Sequence, residues 1–222
     1  MGRQVAFLDR LTAGERAALA ASGRRAAFPR GAVLLVDGVA SGRVFALESG
    51  QVKVAHTTRE GRQVLVALRG AGDVLDVSEL TEATVPATTV SAISDVTALV
   101  VACGVFRRYL TEHPRVAVEL LGVVAERLQE DEADRVRIVT DPVERRLAHR
   151  LLVLAEEEGE IWLEGVTLRV RLSQAELASW IGASRATVNA VLRAFSARGL
   201  VTVGRRHLHI RDVDALRAEA EP

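Results

Sequence analysis

Residues 172–194 read LSQAELASWIGASRATVNAVLRA, and this stretch decides the fold of the C-terminal part of the chain. Ser173 followed by Glu176 has the spacing of a capping box, which predicts the start of a short helix. Gly182 can adopt a positive φ and turn the chain, and Ser184 can cap a second helix. Two short helices around a tight turn are typical of a helix-turn-helix, whose second helix enters the major groove of DNA. Taken alone, the same pattern is equally compatible with ordinary helix packing.

Two features next to this helix pair favour DNA binding. Residues 200–203 and 207–211 flank the sequence Gly204-Arg205-Arg206, which predicts a β-hairpin with a basic tip, a wing. Residues 165–211 contain eight arginines and a single acidic residue, Glu176, although the whole chain has 29 basic and 29 acidic residues. Such a local excess of positive charge is the electrostatic signature of phosphate binding.

The N-terminal half of the chain has a different sequence pattern. Residues 28–101 contain short β-branched runs separated by glycine, aspartate and serine, and this pattern predicts a β-sandwich or a jelly-roll barrel. Residues 1–27 place apolar side chains near helical spacing, so they are predicted to be helical.

A long helix is predicted for residues 106–139. Its apolar positions follow a 4-3-4 spacing, which gives a narrow stripe of the width of a coiled-coil seam: Ala117, Leu121, Val124 and Leu128. A helix with one such stripe either packs on its own domain or pairs with a second copy of the chain.

Composition and motif content limit the other classes of function. No apolar run approaches the ~20 residues of a membrane span, the N-terminus lacks the hydrophobic region of a signal peptide, and Cys103 is the one cysteine. A single cysteine excludes a disulfide framework, so we expect a cytoplasmic protein without membrane contact. The sequence shows no Ser–His–Asp set, no metal-binding histidine spacing and no glycine-rich phosphate loop. We therefore expect no metal, no cofactor and no enzymatic activity.

Residues 5–217 resemble the cyclic-AMP receptor / fumarate-nitrate regulator (CRP/FNR) family of bacterial transcription regulators. The segment SQAELASWIGASRATVNAVLRAFSARGLV is close to the DNA-binding signature of that family, and GRVFALESGQVKV and LRGAGDVL resemble its strand–turn segments. The resemblance implies an α+β protein with a β-roll effector domain of the cyclic-nucleotide-binding type at residues 1–105, a dimerisation helix at 106–139 and a winged helix-turn-helix at 140–222. It also implies a homodimer that binds double-stranded DNA and contacts RNA polymerase.

The same resemblance identifies candidate DNA-binding residues in this sequence. Arg185 can bond to both O6 and N7 of guanine, and Asn189 can pair with adenine or reach a phosphate. Ala186 and Ala190 stand where the cyclic-AMP receptor has Glu and Arg, so we expect a different and less sharply specified operator. The remaining predicted DNA contacts, mostly to phosphates, are Ser173, Gln174, Ser184, Thr187, Arg193, Arg205 and Arg206.

The effector cassette of the family is incomplete in this sequence. In the family, a Gly-Glu pair holds the ribose 2′-OH through its Glu, and the Arg of an Arg-Ser/Thr-Ala run pairs with the cyclic phosphate. Asp76-Val77 and Val85-Pro86-Ala87-Thr88 stand in their places, and no arginine lies between Arg69 and Arg107. A cyclic phosphate would therefore lack its bidentate cation. The candidate pocket residues are Asp76, Val77, Glu79, Thr88, Thr89, Arg127 and Asp131.

The sequence thus predicts a homodimeric DNA-binding regulator that either responds to an effector other than ordinary cyclic AMP or is active without a ligand. A larger or dimeric nucleotide, held in part by Arg127, is one such small-molecule effector. A cyclic-nucleotide-responsive regulator with a non-standard pocket, a ligand-binding module with a vestigial DNA-binding domain and an enzyme of unknown type remain as alternatives.

Overall fold

The computed structural model describes residues 5–81, 87–162, 165–168, 172–204 and 208–221. The chain forms two compact units, and the division between them falls between Gln129 and Glu130. We describe each unit by itself. No helix in the described ranges is long and apolar enough to cross a membrane.

The N-terminal unit begins with a 3-10 helix (Phe7–Arg10) and helix α1 (Ala13–Ala21). Thr12 and Glu15 form a capping box at the start of α1. The prediction of helix up to residue 27 is wrong at its end, because Arg24–Phe28 forms strand β1. Gly23 allows this change: a Cβ at residue 23 would lie 2.8 Å from the carbonyl oxygen of Val100, so the chain here runs directly against a neighbouring strand.

Within the described residues, the strands of the β-roll are β1 (Arg24–Phe28), β2 (Val33–Leu35), β3 (Arg43–Ser49), β4 (Val52–Thr57), β5 (Gln63–Arg69), β6 (Val74–Leu75), β7 (Thr89–Ala92) and β8 (Val96–Ala102). They pair antiparallel in two four-stranded sheets with the orders β1-β8-β3-β6 and β2-β7-β4-β5. A 3-10 helix (Val77–Thr81) follows β6. The predicted jelly-roll-like α+β fold is confirmed.

Helices α2 (Cys103–Glu112) and α3 (Pro114–Thr140) follow the last strand of the roll. The single helix predicted for residues 106–139 is therefore two helices, with a break at His113. The residue before a proline is disfavoured in the α region, and His113 accordingly has φ −125° and ψ 72°. Phe7 and Phe106 meet edge to face at 6.5 Å in the core that joins the helices to the roll.

The C-terminal unit has the architecture of a winged helix-turn-helix. Its elements are α4 (Val143–Glu158), β9 (Gly159–Trp162), β10 (Gly165–Leu168), α5 (Gln174–Trp180), α6 (Arg185–Ala197), β11 (Val201–Val203), β12 (Leu208–Ile210) and α7 (Val213–Ala220). The strands form an antiparallel sheet in the order β11-β12-β10-β9. Leu147, Phe195, Ile210 and Leu216 are fully buried, and α4 contacts α6, α7 and β10.

Candidate nucleic-acid interface and effector region

Helices α5 and α6 begin where the capping residues predict. The Ser173 hydroxyl accepts the backbone N–H of Glu176 at 3.1 Å, and the Glu176 carboxylate accepts the N–H of Ser173 at 2.8 Å. The Ser184 hydroxyl accepts the N–H of Thr187 at 3.0 Å. Each cap satisfies backbone donors that a helix start otherwise leaves unpaired, so the two helix starts are fixed by local sequence.

The turn between α5 and α6 depends on Gly182, which has a φ of +63°. Leu177, Ala178 and Ile181 are buried on one side of this turn, and the N–H of Ala183 bonds to the carbonyl of Ala178 at 2.9 Å. A side chain at residue 182 would be strained by the positive φ. The turn therefore sets where α6 begins relative to α5.

Helix α6 has a buried face and an exposed face. Val188, Val191, Leu192 and Phe195 are buried in the core of the unit. The exposed side chains of its first turns, which we call the recognition face, are those of Arg185, Ala186, Thr187, Ala190 and Arg193. Neither Arg185 nor Arg193 makes a hydrogen bond or an ion pair with any other residue that the structure describes. Two positive charges are thus available to an external partner.

The other predicted DNA contacts occupy varied positions. Ser173 and Ser184 are exposed at the two helix starts, and Gln174 is half-buried beside Ser173. Asn189 is half-buried, and its Oδ1 atom is buried with no hydrogen-bond partner in the described ranges. A bidentate contact from Asn189 to adenine therefore requires its carboxamide to turn outward. Arg205 and Arg206 lie outside the described residues.

The effector region of the roll is built around a buried carboxylate. Glu79 accepts the backbone N–H groups of Ser41 at 2.5 Å and of Gly42 at 2.6 Å. The Ser41 hydroxyl in turn donates to Asp76 at 2.7 Å. Burial raises the pKa of the Asp76 carboxyl to about 6, against the hydrogen bond from Ser41 and with the added effect of the negative charge of Glu79. The Cys103 thiol lies 4.0 Å from the Glu79 carboxylate, and its pKa is raised by burial and by that charge.

The remaining candidate pocket residues do not form one set. The Arg127 guanidinium donates to the Asp73 carboxylate at 2.7 Å and to the Val74 carbonyl at 2.9 Å, so it joins α3 to the start of β6. The Thr89 hydroxyl accepts the N–H of Asp37 at 3.2 Å. The other three members, Val77, Thr88 and Asp131, are half-buried. Val77 packs on the helix–roll core, and Asp131 belongs to the C-terminal unit.

Comparisons with known proteins agree with both halves of this description. Residues 25–113 match the family model of the cyclic nucleotide-binding domain, and residues 145–219 match that of the Crp-like helix-turn-helix domain. The CRP-like cAMP-activated global transcriptional regulator of Mycobacterium tuberculosis is 30% identical over 195 residues, which cover 87% of this chain and 86% of that protein. The chain belongs to the CRP/FNR family. It is therefore a DNA-binding transcription regulator.

Solved structures of CRP/FNR-like regulators share the fold. The c-di-GMP responsive global regulator CLP of Xanthomonas campestris gives a TM-score of 0.80 at 19% identity and covers 90% of this chain and 100% of its own. A CooA mutant from Carboxydothermus hydrogenoformans gives 0.79 at 22% identity and covers 100% and 98%. At these identities the similarity shows the fold alone.

Helix α3 carries two apolar stripes with different surroundings. Val116, Leu120 and Val123 are buried in the core that the helix shares with the roll. The stripe predicted from the 4-3-4 spacing is instead exposed to solvent. Leu121 is 67% exposed, Leu128 is 54% exposed, Val124 is exposed and Ala117 is half-buried. The sequence pattern identified this stripe, but it missed the buried one that fixes the helix to its own unit.

Sequence reasoning also missed partners that are distant in the chain. Ser41 and Gly42 directly precede β3, more than 35 residues before Glu79, and nothing in the sequence indicates that Glu79 reaches them. The Ser-Gly dipeptide is a turn signal, and its exposed backbone N–H groups are the feature that a buried carboxylate can satisfy. Asp73 and Arg127 are likewise joined only by the folded structure.

Proposed function

We propose that this CRP/FNR-type regulator acts as a homodimer that reads DNA through α6 and is not controlled by ordinary cyclic AMP. The observation that carries the proposal is the recognition face of α6. Its two cations, Arg185 and Arg193, have no ionic or hydrogen-bonded partner within the described part of the chain. The small side chains of Ala186 and Ala190 lie between them and leave room for a close approach to the bases.

The charges on α6 suit a two-part contact with DNA. Arg185 stands in the first turn, the part of a recognition helix that reaches base edges. It can bond bidentately to guanine, whereas Arg193, two turns further along, suits a phosphate. The exposed Ser184 and Thr187 hydroxyls at the same helix start add neutral phosphate contacts. Arg205 and Arg206 of the predicted wing would add contacts to phosphates.

The exposed stripe of α3 supports the homodimer. Leu121, Val124 and Leu128 present apolar side chains that their own unit does not cover. Pairing with the same stripe of a second copy would remove this apolar surface from water, which is favourable. A dimer presents two recognition helices, and these would bind two half-sites one helical turn apart. As the family resemblance implies, the bound dimer would contact RNA polymerase.

The effector region supports control by something other than cyclic AMP, or activity without a ligand. The relative in Mycobacterium tuberculosis is described as cAMP-activated, but this chain has Asp76-Val77 where the family places its Gly-Glu pair. The two charged groups nearest that turn, Asp76 and Glu79, are both acidic and would repel a cyclic phosphate. Arg127, the cation that could compensate, is already paired with Asp73.

A gel-shift with total genomic fragments tests DNA binding directly. At ~100 mM salt, the wild type should retain a subset of fragments, because specific contacts exceed the electrostatic background. Arg217→Ala is the matched control, since Arg217 is an exposed arginine of the same unit that pairs locally with Asp214 on α7. A double variant, Arg185→Ala with Arg193→Ala, should lose the subset that the control keeps. Retention of no fragment by the wild type would contradict the proposal.

Light scattering tests the dimer. Leu128→Glu places a charge on each of the two helices that form the apolar seam and should give monomers. Val39→Glu is the matched control, because Val39 is 56% exposed in a loop of the roll, compared with 54% for Leu128. A dimer mass for Leu128→Glu would show that α3 does not form the interface.

A further inference from the structure

The last turns of α3 are joined to the helix-turn-helix by a line of polar contacts within the C-terminal unit. Asp134 on α3 accepts from Arg137 at 3.0 Å and from Arg150 of α4. The Arg150 guanidinium lies over the ring of Trp180, with its central carbon 4.1 Å from the ring centroid. Trp180 is the last residue of α5. The line therefore runs from α3 through α4 to the end of the first helix of the helix-turn-helix.

A second contact reaches the turn itself. A Cβ built at Gly182 would lie 3.4 Å from a methyl carbon of Ile138, so the turn before α6 rests on α3. Arg146 of α4 donates to the carbonyl of Ile138 at 2.7 Å, so α4 also contacts this residue. The position of Ile138 thus bears on the residue that sets the start of the recognition helix.

The contacts of Arg150 are partly shielded from water, since the Asp134 side chain that it pairs with is 29% exposed, so they are stronger than fully exposed pairs. The side chain of Arg150 is 13% exposed and Trp180 is 8% exposed. His149 borders the same depression, and burial, with the charges of Arg137 and Arg150, lowers its pKa to about 4. His149 is therefore neutral at pH 7, and Asp134 is the one carboxylate among the described residues that line the depression. A buried cation that loses its carboxylate is strongly disfavoured.

We propose that Asp134, Arg150 and Trp180 are positioning residues for DNA recognition, because they make the last turns of α3 one rigid body with the helix-turn-helix. The inference deepens the proposed function and rests on it, since it assumes that α6 reads DNA. The residues of this line all belong to the C-terminal unit, whose part of α3 begins at Glu130. The Asp141-Pro142 boundary between α3 and α4 is then a rigid corner, and the direction of the last turns of α3 sets that of α6 within this unit.

The test measures operator binding by Asp134→Asn, which keeps the shape of the side chain and removes its charge. The matched control is Asp214→Asn, whose carboxylate pairs with Arg217 three residues away and is 92% exposed. Asp134→Asn should weaken binding to a retained genomic fragment by at least about threefold, as expected when the interaction between Asp134 and Arg150 is lost. Binding to random-sequence DNA should be unchanged, because the cations of the recognition face are intact.

Two further variants separate positioning from general stability. Arg150→Lys keeps the positive charge but loses the planar group that stacks on Trp180, and it should weaken fragment binding in the same way. In a Trp162→Phe background, Trp180 is the remaining tryptophan of the chain, so its fluorescence reports a displacement of the cationic group over its ring in both variants. Asp134→Glu should restore part of the fragment binding.

The outcomes are distinguishable. If Asp134→Asn and Arg150→Lys bind the fragment as tightly as the wild type, the positioning role is wrong while the proposed function stands. If they weaken fragment and random DNA equally, the contacts stabilise the fold and do not position α6, which also overturns the inference. If the wild type retains no fragment, it is the proposed function that fails.

Discussion

The polar groups of residues 73–79, which we call the roll turn, have partners within the protein, whereas the cations on the recognition face of α6 have none in the described ranges. In the roll turn, Asp73 is paired with Arg127, Glu79 with two backbone N–H groups, and Asp76 with Ser41. On α6, Arg185 and Arg193 extend from an exposed surface and have no polar partner among the residues that the structure describes. The roll turn lies in the part of the chain that matches the cyclic nucleotide-binding domain, and α6 lies in the part that matches the Crp-like helix-turn-helix domain.

The difference separates what each region is able to bind. Groups that are already paired within the protein must break those bonds before they bind a ligand, and a buried group left unpaired costs about 1–3 kcal/mol. Groups on an exposed helix face exchange only water. We therefore expect DNA binding by the chain as folded, whereas nucleotide binding at the roll turn would require these bonds to break.

The largest effect is expected for Glu79→Ala in the roll turn. The change leaves the N–H groups of Ser41 and Gly42 without their acceptor in a buried site, so it should lower the free energy of unfolding by about 2–6 kcal/mol. Amide hydrogen exchange at Ser41 and Gly42 should accelerate in parallel. Glu48→Ala removes a carboxylate from an exposed pair with Arg25, and it should cost at most about 1 kcal/mol. Equal effects of the two changes would show that the Glu79 contacts are dispensable.

Arg185→Ala tests the recognition face. The change should weaken operator binding by about 1–3 kcal/mol, because a bidentate contact to guanine is lost. It should not affect thermal unfolding, since Arg185 is exposed and makes no contact that the described structure would lose. Fluorescence anisotropy with a retained fragment measures the binding, and Arg217→Ala serves again as the control. Unchanged affinity in Arg185→Ala would remove this residue from the interface.

The two units should respond to acid with opposite signs. The pKa of His149 is lowered to about 4 by burial, so the unfolded state binds its proton first and the C-terminal unit loses stability as the pH falls from about 6.5 to 4. The pKa of Asp76 is raised to about 6, so the folded roll binds its proton first and gains stability as the pH falls through about 6. Each effect is on the order of 1–2 kcal/mol after allowance for partial exposure.

Two variants check the pH dependence. His149→Gln should remove the loss of stability of the C-terminal unit in acid. Asp76→Asn should remove the gain of stability of the roll in acid, and asparagine tolerates the left-handed backbone of residue 76 (φ +63°). Hydrogen exchange resolved by unit, measured at several pH values, separates the two. The same sign of change in both units of the wild type, unaltered by either variant, would contradict the assignment.

The smallest effect is expected from cyclic nucleotides. Calorimetry with cyclic AMP and with cyclic GMP should show no binding tighter than about 100 μM, which corresponds to roughly −5.5 kcal/mol. The physical reason is the pair of acidic side chains at the roll turn and the use of Arg127 by Asp73. Micromolar binding would show that another residue supplies the positive charge and that the roll turn opens.

Local sequence predicted the elements whose formation depends on near neighbours. The capping box at Ser173, the cap at Ser184 and the turn at Gly182 follow from residues within a few positions of each other. The apolar spacing of α3 identified its exposed stripe. Such features are encoded by helical periodicity and by capping chemistry, which act over one or two turns.

Features that depend on distant residues could not be predicted in this way. Asp73 and Arg127 are 54 residues apart, and the line from Asp134 through Arg150 to Trp180 crosses three helices. Arg127 was a plausible phosphate ligand in the sequence, because a charge pattern does not reveal which opposite charge the fold places beside it. Strand β1 could not be predicted for the same reason, since its formation depends on pairing with β8, the last strand of the roll in the sequence.

The most direct test of the account is selection of binding sites from random DNA with the wild type and with Arg185→Ala. The account predicts a two-fold symmetric site for the wild type, with half-sites about 10 base pairs apart. It predicts that Arg185→Ala selects the same symmetric site but loses its preference at one base position in each half-site. Selection of the same full motif by both proteins would contradict the central claim that α6 reads the operator through Arg185.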